Sequence, residues 1–544
     1  MGTRVTALVW AFSLAFALLG YRFYDVQLNN GDLYEKKAEG AILFGNYLTP
    51  KRGSINFSDK NGRQVPAAIN KEYPTVNAVP SKVTDPVATA VALNSIVEDM
   101  TQEELVALLS KTGDPYEPLI KRPTEAQIKA IQDASLEGIY ISYGSDRFYP
   151  LGKTGAHVLG YASTNDSHWL GQYGIESYYN QILGGVMGEA DGDKVKQPKD
   201  GRDIQLTIDP NIQSHAEETL SRLVSDYRGE GGTVIIAEPK TGKILAMASV
   251  PNFDPNEYGK FDIGSFLNPS VQSIYEPGSI FKVITMASAL DAGKVTPETT
   301  YYDSGELTLN EHTIRNWDLK SHGTVTMTNV IEKSLNTGAA FAERQLGNEN
   351  FYEYLKKFGL TEQTQIDLPG EVTGSLLPLE QDVQDINFAT ASFGQGISIT
   401  PIRLIMAISA IANGGDVMRP YVNTENKPQK VNRAISKDAS RQTIDMMVSA
   451  VDKAVIAKIS GYSVAGKTGT AQVPKTNGGG YTDEVINTYV GFAPAYDPAF
   501  IILVRLDKPY GAPLAGLTVV PTFRELAQYT INYYNIPPDR IDIE

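Results

Sequence analysis

The sequence predicts an α+β fold, an antiparallel sheet flanked by helices on both sides, and three observations carry the prediction. Strand-like apolar runs cluster at 203–208, 233–237 and 244–249 and again at 488–492 and 500–505, with an α-rich middle between the two groups. Runs gathered at both ends of a segment, with an α-rich middle, suggest an antiparallel sheet with helices on both sides. The second and third runs are joined by Glu238-Pro239-Lys240-Thr241-Gly242-Lys243, whose Pro and Gly mark a hairpin turn. The middle opens with Val283, Ile284, Met286, Ala287 and Leu290 at helical spacing, closed by Gly293. A second helical pattern starts near Thr326, breaks at Ser334-Leu335-Asn336 and resumes through Ala339, Ala340, Phe341 and Leu346. Tyr462, Val464 and Ala465 then read as an edge strand.

At 544 residues the chain is too long for one core, and no repeat or low-complexity segment divides it. Three parts are expected: an anchor over 1–27, a non-catalytic domain over 28–200 and a catalytic domain over 201–544. Val5 to Tyr21 is uncharged and mostly apolar, at the short end of the about 17 to 25 residues that span a bilayer. Arg4 and Arg22 flank it, so charge does not orient it. Ala15-Phe16-Ala17 admits a cleaved signal peptide instead, although Leu18-Leu19 carry the apolar run past that pattern. The middle part mixes short strand-like and helical stretches. Gly184-Gly185, Gly188 and a charged Asp191-Gly192-Asp193-Lys194 segment punctuate it, and Thr101-Gln102-Glu103-Glu104 opens a capped helix.

Composition excludes several classes. Charged residues at 20% and hydrophobic residues at 42% are ordinary for a globular protein. A net charge of −15 argues against nucleic acid as a partner. With no cysteine there is no disulfide and no thiolate metal site. Of the five histidines only His312 and His322 follow Ser279, and neither has a triad's orienting partner beside it.

The chemistry gathers in three short motifs. Ser279-Ile280-Phe281-Lys282, entered through Tyr275-Glu276-Pro277-Gly278, sets a hydroxyl and an amine on one helical face. The positive end of that helix favours the oxyanion formed when a carbonyl is attacked. Alone, the motif is equally a helix cap followed by a solvated charge. Ser334-Leu335-Asn336 puts two polar side chains on an inter-helix loop, where loop capping is the plainer reading. Lys467-Thr468-Gly469-Thr470 lies on the edge strand; Gly469 would let a substrate backbone approach closely, while Lys467 could simply deter edge aggregation. Lys-Thr-Gly also occurs at Lys111-Thr112-Gly113, Lys153-Thr154-Gly155 and Lys240-Thr241-Gly242. The first two precede the catalytic domain and the third is the hairpin turn, so only Lys467 follows both other motifs.

Ser-x-x-Lys, Ser-x-Asn and Lys-Thr-Gly in that order form the signature of penicillin-binding proteins and serine β-lactamases. The chain resembles a class B penicillin-binding protein, a monofunctional peptidoglycan D,D-transpeptidase, over nearly its whole length. Arg52-Gly53-Ser54-Ile55 with Asn61-Gly62, Arg147-Phe148-Tyr149-Pro150, Gly174-Ile175-Glu176 and the stretch from Gly201 to Asp209 look like that family's non-catalytic landmarks, with a mild departure at Asn56-Phe57-Ser58. The resemblance implies the penicillin-binding transpeptidase fold, with an elongated pedestal of the dimerisation type, one transmembrane helix and the catalytic domain outside the cytoplasm.

It implies roles as well. Ser279 attacks the carbonyl between two terminal D-alanines of a stem peptide, and Lys282, if burial and nearby Lys467 lower its pKa, takes the proton. Ser334 relays a proton to the leaving amine and Asn336 binds the donor peptide's backbone. Lys467, Thr468 and Thr470 hold the terminal carboxylate beside Gly469. Backbone N–H groups of Ser279 and Thr470 form an oxyanion hole, each donor worth roughly 3 to 4 kcal/mol. No cofactor or metal is implied. The expected partners are stem peptides ending in D-Ala-D-Ala, β-lactams, a membrane-embedded glycan polymerase and other cell-wall synthesis proteins. A division-associated role is favoured over an elongation role. A D,D-carboxypeptidase would differ only in whether water or an amine attacks, a β-lactamase would need far less chain, and a β-lactam sensor would carry a signalling module.

Acylation by penicillin discriminates the four Lys-Thr-Gly copies. Lys467→Ala is expected to slow it severely, and Lys111→Ala, Lys153→Ala and Lys240→Ala are expected to leave it unchanged; equal loss from Lys240→Ala would put the motif on the wrong strand.

Overall fold

The computed structural model describes residues 2–24, 49–97, 99–111, 117–165, 168–191, 194–381, 383–475, 479–512 and 514–540. Thr112 and Gly113, the Gly192-Asp193 pair and the junction expected at 27–28 lie outside the described residues. Two compact units emerge, one of residues 68–150 and one of residues 1–67 with 151–544, so the stretch expected as a pedestal is divided between them.

In the larger unit Gly231–Ala237 (β1), Ile244–Val250 (β2), Ala465–Pro474 (β3), Tyr481–Ala493 (β4) and Phe500–Asp507 (β5) form an antiparallel sheet in the order β2-β1-β5-β4-β3. Every residue of β1 is buried, as a strand covered on both faces requires. One face packs on Pro210–Asp226 (α1) and Val519–Tyr534 (α7), where Leu220, Phe523 and Leu526 meet Val234, Ile236 and Val504. The other face carries Phe281–Asp291 (α2), Pro401–Ala412 (α5) and Lys437–Ala454 (α6). Asp209, Thr400 and Ser436 cap α1, α5 and α6 through their side chains, and Pro stands at the first turn of α1 and α5. Between β1 and β2 the expected hairpin is present: Glu238 and Lys243 close it, and Gly242, at φ +81°, supplies the left-handed residue.

One expected strand lies elsewhere. The run 203–208 stays out of this sheet; Ile204–Gln205 pairs in parallel with Ile55–Ser58 instead. The chain must turn at Asp209 to cap α1, and Thr207 is already committed to Val422, so too little strand remains to join the sheet.

Three of the sequence landmarks converge in one buried knot. Arg52 donates to Glu176 at 2.6 Å and also to Asn180 and the Trp169 carbonyl, with both side chains of the ion pair sealed from solvent. A Cβ on Gly53 would lie 2.1 Å from the Arg202 carbonyl, so glycine is required where these segments touch. Residues 151–200 are seated on the sheet's own unit: Ala156, Tyr161 and Tyr173 pack against Phe253 and Phe266, and the Gly155 N–H donates to Glu217.

In the smaller unit, residues 69–78 of the strand Gln64–Ala78 pair with Ile139–Phe148, and its last residues pair with Glu117–Lys121. Pro86–Leu93, Gln102–Leu109 and Glu125–Ala134 supply helices, with Val76, Leu93, Leu105, Leu119 and Ile131 at the core. Thr101 and Glu104 make the reciprocal capping box that the sequence signalled. At the N-terminus Gly2–Tyr24 is helical, and no helix among the described residues is long and apolar enough to cross a membrane.

A chain begun at Gln197 strips the cover from Phe253 and Phe266, each worth about 1.5–3 kcal/mol when buried. Such a chain is expected to melt well below the parent or to aggregate. Replacing only residues 68–150 by a Gly/Ser linker is expected to leave the melting temperature of the larger unit nearly unchanged. Thermal melts and size-exclusion profiles of the two shortened chains decide it, and a stable, monodisperse chain from Gln197 would refute the seating of residues 151–200.

Candidate active site

Ser279, the residue expected to be the nucleophile, sits where a tight turn becomes a helix. Gly278–Ile280 forms a single 3₁₀ turn that runs directly into α2, and Phe281 to Leu290 are all buried, Lys282 among them at 1% exposure. Ser279, half-buried, caps this rigid post. Lys282 Nζ lies 2.9 Å from Ser279 Oγ, 2.6 Å from the Ser334 carbonyl and 3.1 Å from Ser334 Oγ.

Ser334 occupies the junction between Met327–Lys333 (α3) and Asn336–Leu346 (α4), at φ +57°. A left-handed serine is strained, of order 1–3 kcal/mol, so its surroundings must impose it. Leu335, fully buried, pins the loop to the core. Asn336 donates its side-chain amide to the Arg315 carbonyl at 2.8 Å. On the third side stands Lys467, 4% exposed on β3, with Nζ 2.9 Å from Ser334 Oγ and 3.1 Å from the Thr468 carbonyl. Thr468 Oγ1 is 3.4 Å from the same amine, and Thr470 Oγ1 accepts from the Ala515 N–H at 3.4 Å. Ser279, Lys282, Ser334 and Lys467 thus form one continuous polar chain, with Asn336, Thr468 and Thr470 on its margins. Of the other Lys-Thr-Gly lysines, Lys240 pairs with Asp497 at the surface, and Lys111, in the smaller unit, pairs with Glu117.

Gly469 makes a close approach within the fold itself. A Cβ there would meet the Pro277 carbonyl at 2.7 Å and the Ile280 side chain at 3.1 Å, so its bareness lets β3 close on the Ser279 turn. Gly278, at φ +57°, faces back toward Thr470, and a Cβ on Gly394 would lie 2.2 Å from the Gly278 carbonyl. The Gly278 N–H donates to Gly394 at 3.0 Å. Three glycines therefore lock edge strand, turn and the 394–396 loop together.

Burial first, and the charge of Lys467 second, push the Lys282 amine well below the ordinary lysine range. Burial brings Lys467 down to about 7. Lys282 Nζ donates to Ser279 Oγ and to both oxygens of Ser334; an amine with lowered proton affinity at this place can, on losing its proton, turn a lone pair to Ser279 Oγ, the arrangement a general base needs.

Sequence reasoning missed several contributors. Glu276 accepts from the Gly396 N–H at 3.1 Å and from Tyr481, and burial raises its pKa. Phe393 is buried with its ring centre 6.0 Å from Lys282 Nζ, lowering the polarity around the amine. Asp303, Asn316 and Thr337 form a buried network behind the Ser334 loop. The glycines of Gly394-Gln395-Gly396 were a usable signal; the isolated Asp303 and Asn316 gave none.

A serine on a buried helix, backed by two desolvated lysines and a bridging hydroxyl, defines an acyl-serine enzyme. Residues 232–528 match the family described as penicillin binding protein transpeptidase domain, and residues 47–211 the penicillin-binding protein dimerisation domain. Stage V sporulation protein D of Bacillus subtilis is 34% identical over 98% of this chain and 86% of that protein. Peptidoglycan D,D-transpeptidase FtsI of Escherichia coli is 27% identical over 99% of this chain and 93% of its own length. The crystal structure of a peptidoglycan synthetase from Bifidobacterium adolescentis superposes with a TM-score of 0.70 at 27% identity, covering 91% of this chain and 98% of that one. The chain belongs to the class B penicillin-binding proteins and is a serine-type transpeptidase.

The depressed Lys467 amine has a thermodynamic consequence. Between its folded value of about 7 and the ordinary 10.5 the unfolded chain holds a proton that the folded chain has released, so stability rises with pH across that window and is lost as pH falls through 7. Lys467→Met removes this contribution, which amounts to about 1.4 kcal/mol per pH unit. The variant is expected to melt above the parent at pH 7, with the gap closing by pH 10. Parallel curves for the two proteins from pH 7 to 10 would contradict the burial of a costly amine.

Proposed function

We propose that this chain cross-links peptidoglycan stem peptides as a D,D-transpeptidase of septal wall synthesis and is itself acylated by β-lactams. The observation that carries the reading is the 2.9 Å contact between Ser279 Oγ and a buried amine whose proton affinity is already lowered. Ser279 Oγ attacks the carbonyl between the terminal D-alanines as its proton passes to Lys282 Nζ. The tetrahedral oxyanion is stabilised by the N–H groups of Ser279 and Thr470. Ser334 Oγ, between the two amines, carries a proton to the departing D-alanine nitrogen, and the C–N bond breaks to leave an acyl ester on Ser279. An acceptor amine then attacks the ester, gives its proton back along the same chain and restores Ser279. Lys467 with Thr468 and Thr470 holds the donor's carboxylate. Asn336, its amide plane fixed by the Arg315 carbonyl, orients the donor backbone. As the last strand of the sheet, β3 has an outer edge on which an extended peptide can lie.

A single membrane anchor at the N-terminus is supported by the exposure of Trp10, Phe12, Leu14, Phe16 and Leu18, 61–72% along the helix, although that helix falls short of the apolar length of a bilayer span. The transpeptidase sheet and its helices then lie outside the cytoplasm, and the stretch before residue 200, of which residues 68–150 make a compact unit of their own, serves as the pedestal that docks a glycan polymerase and other synthesis proteins. The septal assignment rests on the likeness of this pedestal to the division-associated type.

Ser279→Ala is expected to abolish labelling by fluorescent penicillin while the melting temperature stays nearly constant, because alanine is well tolerated in a first helical turn. Stoichiometric labelling of that variant would sink the assignment. With a pentapeptide donor and a stem-peptide amine, the parent should yield cross-linked dimers; trimmed tetrapeptide alone would make it a carboxypeptidase.

A further inference from the structure

We infer that Asn316, oriented by Asp303, is a positioning residue for the reaction: it caps α4 from outside the helix and thereby holds Ser334 and Asn336 in place. The inference rests on the roles given to those two residues above.

Ordinarily the residue preceding a helix caps it. Here that residue is Leu335, which has no side-chain acceptor, so the first N–H groups of α4 look elsewhere. Asn316 Oδ1 accepts from the Asn336 N–H at 3.0 Å and the Thr337 N–H at 3.3 Å, across twenty residues of sequence. Asn316 is 1% exposed, and which way its amide points is fixed by its neighbours. Its Nδ2 faces both oxygens of Asp303, at 3.0 and 2.9 Å, and the Lys320 carbonyl at 3.2 Å. These groups only accept, and the helix N–H groups only donate, so one orientation satisfies both sides. Asp303, fully buried, is held in turn by the Gly305 and His322 N–H groups and by Thr337 Oγ1 at 2.7 Å.

The same short stretch grips the loop on both sides of Ser334. The Arg315 carbonyl accepts from the Asn336 side chain, and Trp317 Nε1 donates to the Lys333 carbonyl at 3.0 Å. Three consecutive residues, 315 to 317, therefore bracket the strained serine. Without the Asn316 cap, α4 begins one residue later, Ser334 relaxes from φ +57°, and its hydroxyl leaves the position 2.9 Å from Lys467.

The test is the rate of acylation by fluorescent penicillin, expressed per folded molecule, alongside the melting temperature of the full chain. Asn316→Ala is expected to slow acylation on the order of tenfold, in line with the loss of a helix cap. Thr337→Val, which deletes one support of Asp303 at constant volume, should slow it about threefold. Leu346→Ala weakens the opposite end of α4, where Leu346 is 2% exposed, and should lower the melting temperature without changing the rate per folded molecule. Ser334→Ala measures the underlying reading separately: a parental rate there refutes the role of Ser334. If Ser334→Ala is slow yet Asn316→Ala acylates at the parental rate, or if Leu346→Ala slows acylation as much at a matched loss of melting temperature, the positioning role is wrong. Should Asn316→Ala fail to fold, Thr337→Val decides alone, and a parental rate overturns the inference.

Discussion

Two buried amines share one hydroxyl. Lys282 and Lys467 approach Ser334 Oγ to 3.1 and 2.9 Å, and neither has a carboxylate among its hydrogen-bond partners in the described residues. Two ammonium ions in that position would repel each other and lack water, so the pair holds fewer protons than free lysines do. That deficit is what makes an amine a base at neutral pH. It is also a standing cost to the fold, which the rest of the molecule must offset. The fully buried α2 and α5 and the doubly covered β1 supply the apolar mass against which such a site is affordable.

Rigidity of the site comes from close backbone approach as much as from hydrogen bonds. β3 can reach the nucleophile's turn only because Gly469, Gly278 and Gly394 leave no Cβ in the way. Any side chain there would push Lys467 outward and break its link to Ser334, the last in the polar chain. The Ser334 loop is secured by a different device, a polar network from a separate stretch of chain, because its own capping position carries leucine. Strain at Ser334 and the absence of a local cap belong together: a loop determined from outside need not satisfy local preference.

Much of this was legible in the sequence. The Ser279–Lys282 pair is an i,i+3 relation, which any helix enforces. The hairpin at 238–243, the capping box at Thr101 and the helix break at Ser334 are likewise local, set by residues within a turn of each other. Other features were not legible. The run 203–208 alternates like a strand, yet its partner was decided by the cap demanded at Asp209. The landmarks at Arg52, Glu176 and Gly201–Arg202 were visible as motifs but not as one knot, since Arg52 and Glu176 lie 124 residues apart. Gly469 carried the sign of a close approach, but the Pro277 carbonyl and Ile280 that it meets in the fold lie far off in sequence and were not legible.

The sequence by itself determined the Ser279–Lys282 pairing on one helical face, the order of the three motifs and the sheet-and-helix architecture, because pairing and architecture follow from local spacing and periodicity and the order is written in the chain; the roles of those residues came from the family resemblance. Tertiary structure alone lowered the proton affinity of the two lysines, since burial and a neighbouring charge 133 residues away from Ser334 exist only in the folded chain. It alone recruited Asp303 and Asn316, single polar residues with no motif around them. Solvation and long-range contact have no periodic signature, and these are what turn a serine near a lysine into a site.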